Sequence, residues 1–196
     1  MSQLSVSLGN MLYEKRYADV IEAGIKLLKT NPEDASVHVA LMDAYFKLRN
    51  EDNSYLSECG KHARLAILYG HNTGYAHDRL LKTLKSLNLY HQAIQLCNLV
   101  LNHKFAFVKT GCGKKETYEK AKDQLNKLLP KSADSKSDIL FDKDHISAII
   151  SRQQERLRLE REANRIFKKA EKCFWTNESE YERLMKQYHD LQDKMW

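Results

Sequence analysis

Apolar residues recur every three or four positions in three successive stretches of the first hundred residues, and each stretch repeats one arrangement. A helix-period run leads into a short polar turn. An aromatic residue or leucine then opens a second helix that carries small residues on its apolar face. In the first stretch Leu8 and Gly9 lie on the leading helix, and Tyr17, Val20, Gly24 and Leu27 on the following one, which stops at Asn31-Pro32. In the second, Leu41 and Tyr45 precede Leu56, Cys59, Ala63 and Ala66; in the third, Leu80, Leu81 and Leu84 precede Tyr90, Ala93, Cys97 and Val100. Tyr17, Leu56 and Tyr90 are 39 and 34 residues apart, and the polar turn Asn50-Glu51-Asp52-Asn53-Ser54 absorbs the longer interval. Small residues let paired helices approach closely, while leucine and tyrosine from the partner fill the gap. Pro32 cannot continue a helix and so sets where the second pair starts.

The pattern changes after Asn102. Residues 104–113 read as a loop, and 115–129 as a seventh helix with Tyr118, Ala121, Leu125 and Leu128 on one face. A stack of helical pairs needs its last apolar face covered, and this helix is placed to do so. Pro130 ends it, and the Ser-, Asp- and Lys-rich run that follows marks a linker in which only Ile139, Leu140 and Phe141 are suited to packing. A long charged helix then runs from about Asp144 to Lys172, with Ile146, Ile149, Ile150, Leu157, Ala163, Phe167 and Ala170 drifting along one face. Phe174-Trp175-Thr176-Asn177 forms a turn. The last helix carries Tyr181, Leu184, Met185, Tyr188, Leu191 and Met195, and Ser179 with Glu182 is placed as a capping box. Residues 152–172 hold eight basic and four acidic side chains, and 176–196 hold three and five, so opposite signs favour an antiparallel hairpin. The expected fold is all-α: a solenoid with capping helix over 1–129, a linker over 130–143 and a helical hairpin over 144–196.

Over residues 2–103 the chain resembles the tetratricopeptide repeat family. Leu8-Gly9-Asn10, Tyr17 and Asn31-Pro32 stand where that family places Leu-Gly, Tyr and Asp-Pro, and one of the two intervals has its period of about 34 residues. Val20, Gly24 and His71 depart from the pattern, and His38 or His77 occupies the position of the family's early tryptophan. The resemblance implies a solenoid of about three repeats that binds ligands on the concave face made by the first helix of each pair. Projected onto that face, the partner-binding residues are Asn10, Tyr13, Val39, Asp43, Phe46, Tyr75, Arg79, Lys82 and Lys85, with Glu14, Ser36, Lys47 and Asp78 beside them. Aromatic rings amid charge suit a peptide or helix. Arg79, Lys82 and Lys85 on one face favour an acidic one. The clamp with which some members grip a chaperone's terminal carboxylates is not formed: Asn10 and Arg79 match it, but Val6, Ala40 and Tyr75 do not.

Composition narrows this further. In 196 residues, 7 Gly and 2 Pro are too few for the turns of an all-β chain, while 42% hydrophobic and 30% charged residues suit a folded protein. The net charge of +6 is local: residues 104–131 hold eight basic against three acidic side chains, and 132–196 hold thirteen of each. That basic segment, with Phe105, Phe107 and Tyr118 among its lysines, is the basis of an alternative reading as a nucleic-acid binder. A second alternative is a small secretion-type chaperone for an apolar client, which the chain resembles in size and repeat number. Cys59, Cys97, Cys112 and Cys173 form neither a zinc pattern nor a disulfide framework. With no secretory leader and no apolar span, the expected location is the cytoplasm.

No sequence pattern points to catalysis, a cofactor or a metal. Thr110-Gly111-Cys112-Gly113-Lys114-Lys115 lacks the first glycine and final hydroxyl of a phosphate-binding loop, having Val108 and Lys115 instead. The eight histidines have no metal-ligand spacing and read as surface or packed residues. Cys59 and Cys97 fall on small-residue core positions, whereas Cys112 is the cysteine with lysine neighbours able to lower its pKa. The expectation is a non-enzymatic adaptor, with self-association through the C-terminal hairpin as a further role and Trp175 and Trp196 as its conspicuous aromatics.

Overall fold

The structure, a computed structural model, describes residues 3–52, 54–71, 74–103, 117–131 and 138–195. Among these the chain is all-α, with nine helices packed as sequential antiparallel pairs and no strands. The helices are α1 (Gln3–Tyr13), α2 (Tyr17–Leu28), α3 (Ala35–Leu48), α4 (Ser54–Leu68), α5 (Gly74–Ser86), α6 (Tyr90–Asn102), α7 (Thr117–Leu128), α8 (Lys143–Cys173) and α9 (Glu178–Met195). They fall into two compact units, residues 2–150 and 151–196.

Local chemistry explains the helix boundaries. Asp34 caps α3 by accepting hydrogen bonds from the Ser36 and Val37 amides at 3.0 and 3.2 Å, two residues after Pro32. The turns within the first and third pairs are the same structure. Lys15 and Asn88 take left-handed φ values of 61° and 57°. Arg16 N–H then bonds back to Met11 C=O, and Leu89 N–H to Leu84 C=O, each at 2.9 Å, so both helices end in one type of C-terminal motif. The second pair is joined by the longer polar turn after Leu48.

The core of the first unit is built as the small-residue pattern requires. Ala63, Ala66 and Cys59 of α4 and Ala93 and Cys97 of α6 are buried, beside Leu41, Met42, Leu80 and Leu96. Gly24 is a point of closest approach: a Cβ there would lie 2.7 Å from Leu41 Cδ2 and 2.9 Å from its Cγ. Helix α7 packs on α6 and α5 and contributes Ala121 and Leu128 to the core.

The stretch read as a linker is fastened at its far end. Leu140 and Phe141 are buried in the first unit's core, while Ile139 stays 68% exposed. The Gln95 amide fixes the segment, donating to Asp138 C=O and accepting from Leu140 N–H. Ile146 and Ile149 join the same core, and the division between the two compact units falls inside α8, between residues 150 and 151.

In the second unit, Leu159, Ala163 and Ile166 of α8 pack with Tyr188, Leu191 and Met195 of α9. Phe167 meets Tyr188, and Phe174 meets Tyr181. Numbers on α9 rise as those on α8 fall, which makes the pair antiparallel. Two details differ from the sequence reading. The apolar stripe of α8 runs through Leu159, with Leu157 half-buried beside it, because a seam repeating about every 3.5 residues selects 159, 163, 166 and 170. The cap of α9 is Asn177 and not Ser179: its Oδ1 accepts from the Glu180 amide at 3.1 Å, since the helix begins at Glu178, two residues earlier than a Ser179 cap would place it.

Candidate functional site

Four of the nine residues projected onto the inner face meet in one cluster between α3 and α5. The Tyr75 hydroxyl donates to Asp43 Oδ1 at 2.5 Å. Arg79 Nη2 donates to the same carboxylate oxygen at 3.2 Å and to the Tyr75 hydroxyl at 2.8 Å. The Arg79 guanidinium lies 3.6 Å from the centre of the Phe46 ring and 5.2 Å from that of Tyr75. Helical spacing makes this arrangement: Tyr75 and Arg79 are one turn apart on α5, as Asp43 and Phe46 are on α3. Burial and the bond to Asp43 push the Tyr75 hydroxyl up to about 12, so it remains a neutral donor. In this joint Asp43, Phe46 and Arg79 are half-buried and Tyr75 is 44% exposed.

Arg49 belongs to this cluster although the sequence reading omitted it. It ends α3, donates Nη1–H to Phe46 C=O at 2.5 Å and lies 3.9 Å from the centre of the Phe46 ring. Unlike Arg79 it has no carboxylate partner among the described residues. The signal was present in sequence as a basic residue three positions after Phe46 at a helix end, where its fork can reach a terminal carbonyl.

The remaining projected residues are placed differently. Asn10 and Tyr13 lie exposed on α1, Tyr13 at 90%, and Val39 is half-buried against the core. Lys82 is exposed on α5 without a partner among the described residues. None of these four has a hydrogen bond, ion pair or ring contact with the cluster. Lys85 donates to Gln124 Oε1 of α7 at 2.8 Å, and Asp78 is ion-paired with Lys120 of α7. Of Arg79, Lys82 and Lys85, Arg79 is ion-paired with Asp43, whereas Lys85 bonds a neutral amide and keeps its charge, as does exposed Lys82.

Three of the eight histidines are core groups. His38, His62 and His77 are nearly inaccessible. His38 Nε2 lies 3.0 Å from the Pro32 carbonyl, which only accepts, so Nε2 carries the proton. Its Nδ1 is then an acceptor for His62 Nδ1–H at 2.8 Å. Tyr45 stacks on His62 and Tyr69 on His38. Burial lowers all three, His62 to about 4 and His77 to about 3, which keeps the rings neutral.

Burial raises the Cys59 thiol and pushes that of Cys97 up to about 11, so neither is a nucleophile at neutral pH. Cys112, the loop-like run 110–115, Phe105 and Phe107 lie outside the described residues, as does Trp196. Among the described residues no three His, Cys, Asp or Glu side chains are grouped to hold a metal ion, and no helix is long and apolar enough to cross a membrane. No protein-family model, curated protein or solved structure matches the chain.

Proposed function

We propose that residues 2–103 form three tetratricopeptide-like helical pairs and that the protein is an interaction scaffold, binding a peptide or helix of a partner protein across α1, α3 and α5. The observation that carries this reading is the joint of Asp43, Phe46, Tyr75 and Arg79. It ties two leading helices together through their polar groups, holds Phe46 half-buried between Arg79 and Arg49, and leaves the Tyr75 ring at the surface as a preorganised aromatic anchor for a ligand. The identical turns at Lys15 and Asn88 support the repeat reading, because they recur with the same interval as Tyr17 and Tyr90. Acidic character in the ligand is selected by Arg49, Lys82 and Lys85, cations of α3 and α5 that have no carboxylate partner among the described residues.

The test is affinity capture from a nuclease-treated native lysate, comparing wild type with a Tyr13→Ser, Lys82→Glu, Arg49→Gln variant. Tyr13 and Lys82 have no partners to lose among the described residues, and the amide NMR spectrum verifies that the variant is folded. A protein captured by wild type and lost by the folded variant supports the groove. Equal capture by both rejects it, and recovery of nucleic acid alone before nuclease treatment favours the basic-segment reading.

A further inference from the structure

We propose that the tip of the α8–α9 hairpin is a binding site for a cationic side chain, lysine or arginine, presented by a basic segment of a partner protein. The proposal does not depend on the groove. The tip is a built structure. Thr176 and Asn177 amides both bond to Cys173 C=O, at 3.1 and 2.9 Å, and Asn177 caps α9. On this frame stand three rings set nearly perpendicular in sequence: Phe174 to Trp175 at 77° and 4.6 Å between centroids, Phe174 to Tyr181 at 73° and 5.0 Å. They line a cleft of about 450 Å³ together with Glu178 and Glu182.

Two independent features of the cleft point to a cation. Aromatic faces carry negative potential, and rings at right angles present such faces from different directions, as a cationic group requires. Glu178 and Glu182 have no cationic partner among the described residues, and the neighbouring Arg183 is held by Glu180 through two bonds of 2.8 and 2.6 Å. The lysines at the end of α8 do not line the cleft. A helix N-terminus accounts for acidic residues in the first turn of α9. It does not account for Trp175, which is 90% exposed beside a Phe174 exposed at 47%. The cleft is open, so a small free ammonium ion would be contacted on too few sides. A side chain fixed on a larger body meets the projecting indole without that limitation.

The test follows the Trp175 indole N–H by NMR in the full-length chain, with Trp196→Phe identifying the resonance. The probes are acetyl-Gly-Arg-Gly-amide, its lysine counterpart and the citrulline peptide, which keeps arginine's shape without its charge. The expected result is a saturable shift with the arginine and lysine peptides in the millimolar range and none with citrulline. Glu178→Gln, Glu182→Gln together should weaken binding by roughly 3- to 10-fold, and Trp175→Ala, read from the Thr176 and Tyr181 amides, by roughly 2- to 5-fold. Equal shifts with citrulline, or binding indifferent to either variant, overturn the proposal. So does tetramethylammonium binding as tightly as the peptides. A Trp175 shift that follows protein concentration without peptide assigns the cleft to a second copy of the chain and also overturns it.

Discussion

Acidification from pH 7.5 to 5.5 should destabilise the first unit by an amount set by its buried histidines. An unfolded histidine titrates near 6.5, whereas folded His62 and His77 are held at about 4 and about 3 by desolvation. Between those values the unfolded chain binds more protons than the folded one. Stability is therefore full above pH 6.5 and is lost as the pH falls. Over this window each unfolded histidine gains most of a proton and the two folded ones gain almost none, which removes about 1.3 kcal/mol per group and about 2.5 kcal/mol for the pair. Because pH 5.5 lies more than a unit above both folded values, the result does not depend on their exact positions. His38 is lowered as well and acts in the same direction. Against a total of about 5–15 kcal/mol for an ordinary domain, the loss is readily measured. Urea denaturation followed by far-UV circular dichroism is the appropriate assay, since both tryptophans lie in the last 22 residues and report on the second unit. Ring NMR signals give the folded-state titration directly. Equal urea midpoints at the two pH values, or His62 and His77 signals moving with a midpoint near 6.5 in the folded protein, would refute the reasoning.

Gly24→Ala should destabilise the first unit by about 1 kcal/mol. Overpacking against the fully buried Leu41 costs about 1–3 kcal/mol, and the helix preference of alanine offsets about 1. Gly9→Ala, with nothing within 4 Å of the new carbon, should be neutral or stabilising by up to about 1 kcal/mol in the same thermal melt. An unchanged melt for Gly24→Ala would mean that α2 and α3 are not in close contact. In the hairpin, Asn177→Ala should remove about 1 kcal/mol, seen as faster hydrogen exchange at the first amides of α9, and Ser179→Ala should leave exchange unaltered.

The periodicity of leucine, tyrosine and small residues by itself determined the helices, their order and most of the core. These follow from a local rule: residues three and four apart share a helix face, so a run of apolar positions states both the element and its buried side. Cys59, Cys97, Ala63 and Ala93 are buried for that reason, and the spacing put Asp43 with Phe46 on one face of α3 and Tyr75 with Arg79 on one face of α5. Periodicity is silent on distance between elements, and the remaining features depend on that distance. Whether Arg79 is free or neutralised depends on Asp43 arriving from another helix, and the bond from Lys85 to Gln124 of α7 arises in the same way. His38 and His62 face each other because α3 and α4 cross where both rings point inward, which leaves no mark in either segment alone. Leu159 in place of Leu157, and Asn177 in place of Ser179, were settled by the register of α8 against α9 and by where the turn released the chain. Hydrophobic patterning is additive along a helix and can be read from one segment, whereas hydrogen bonds, ion pairs and desolvation require two groups to meet within about 3–4 Å, a condition that only tertiary packing supplies.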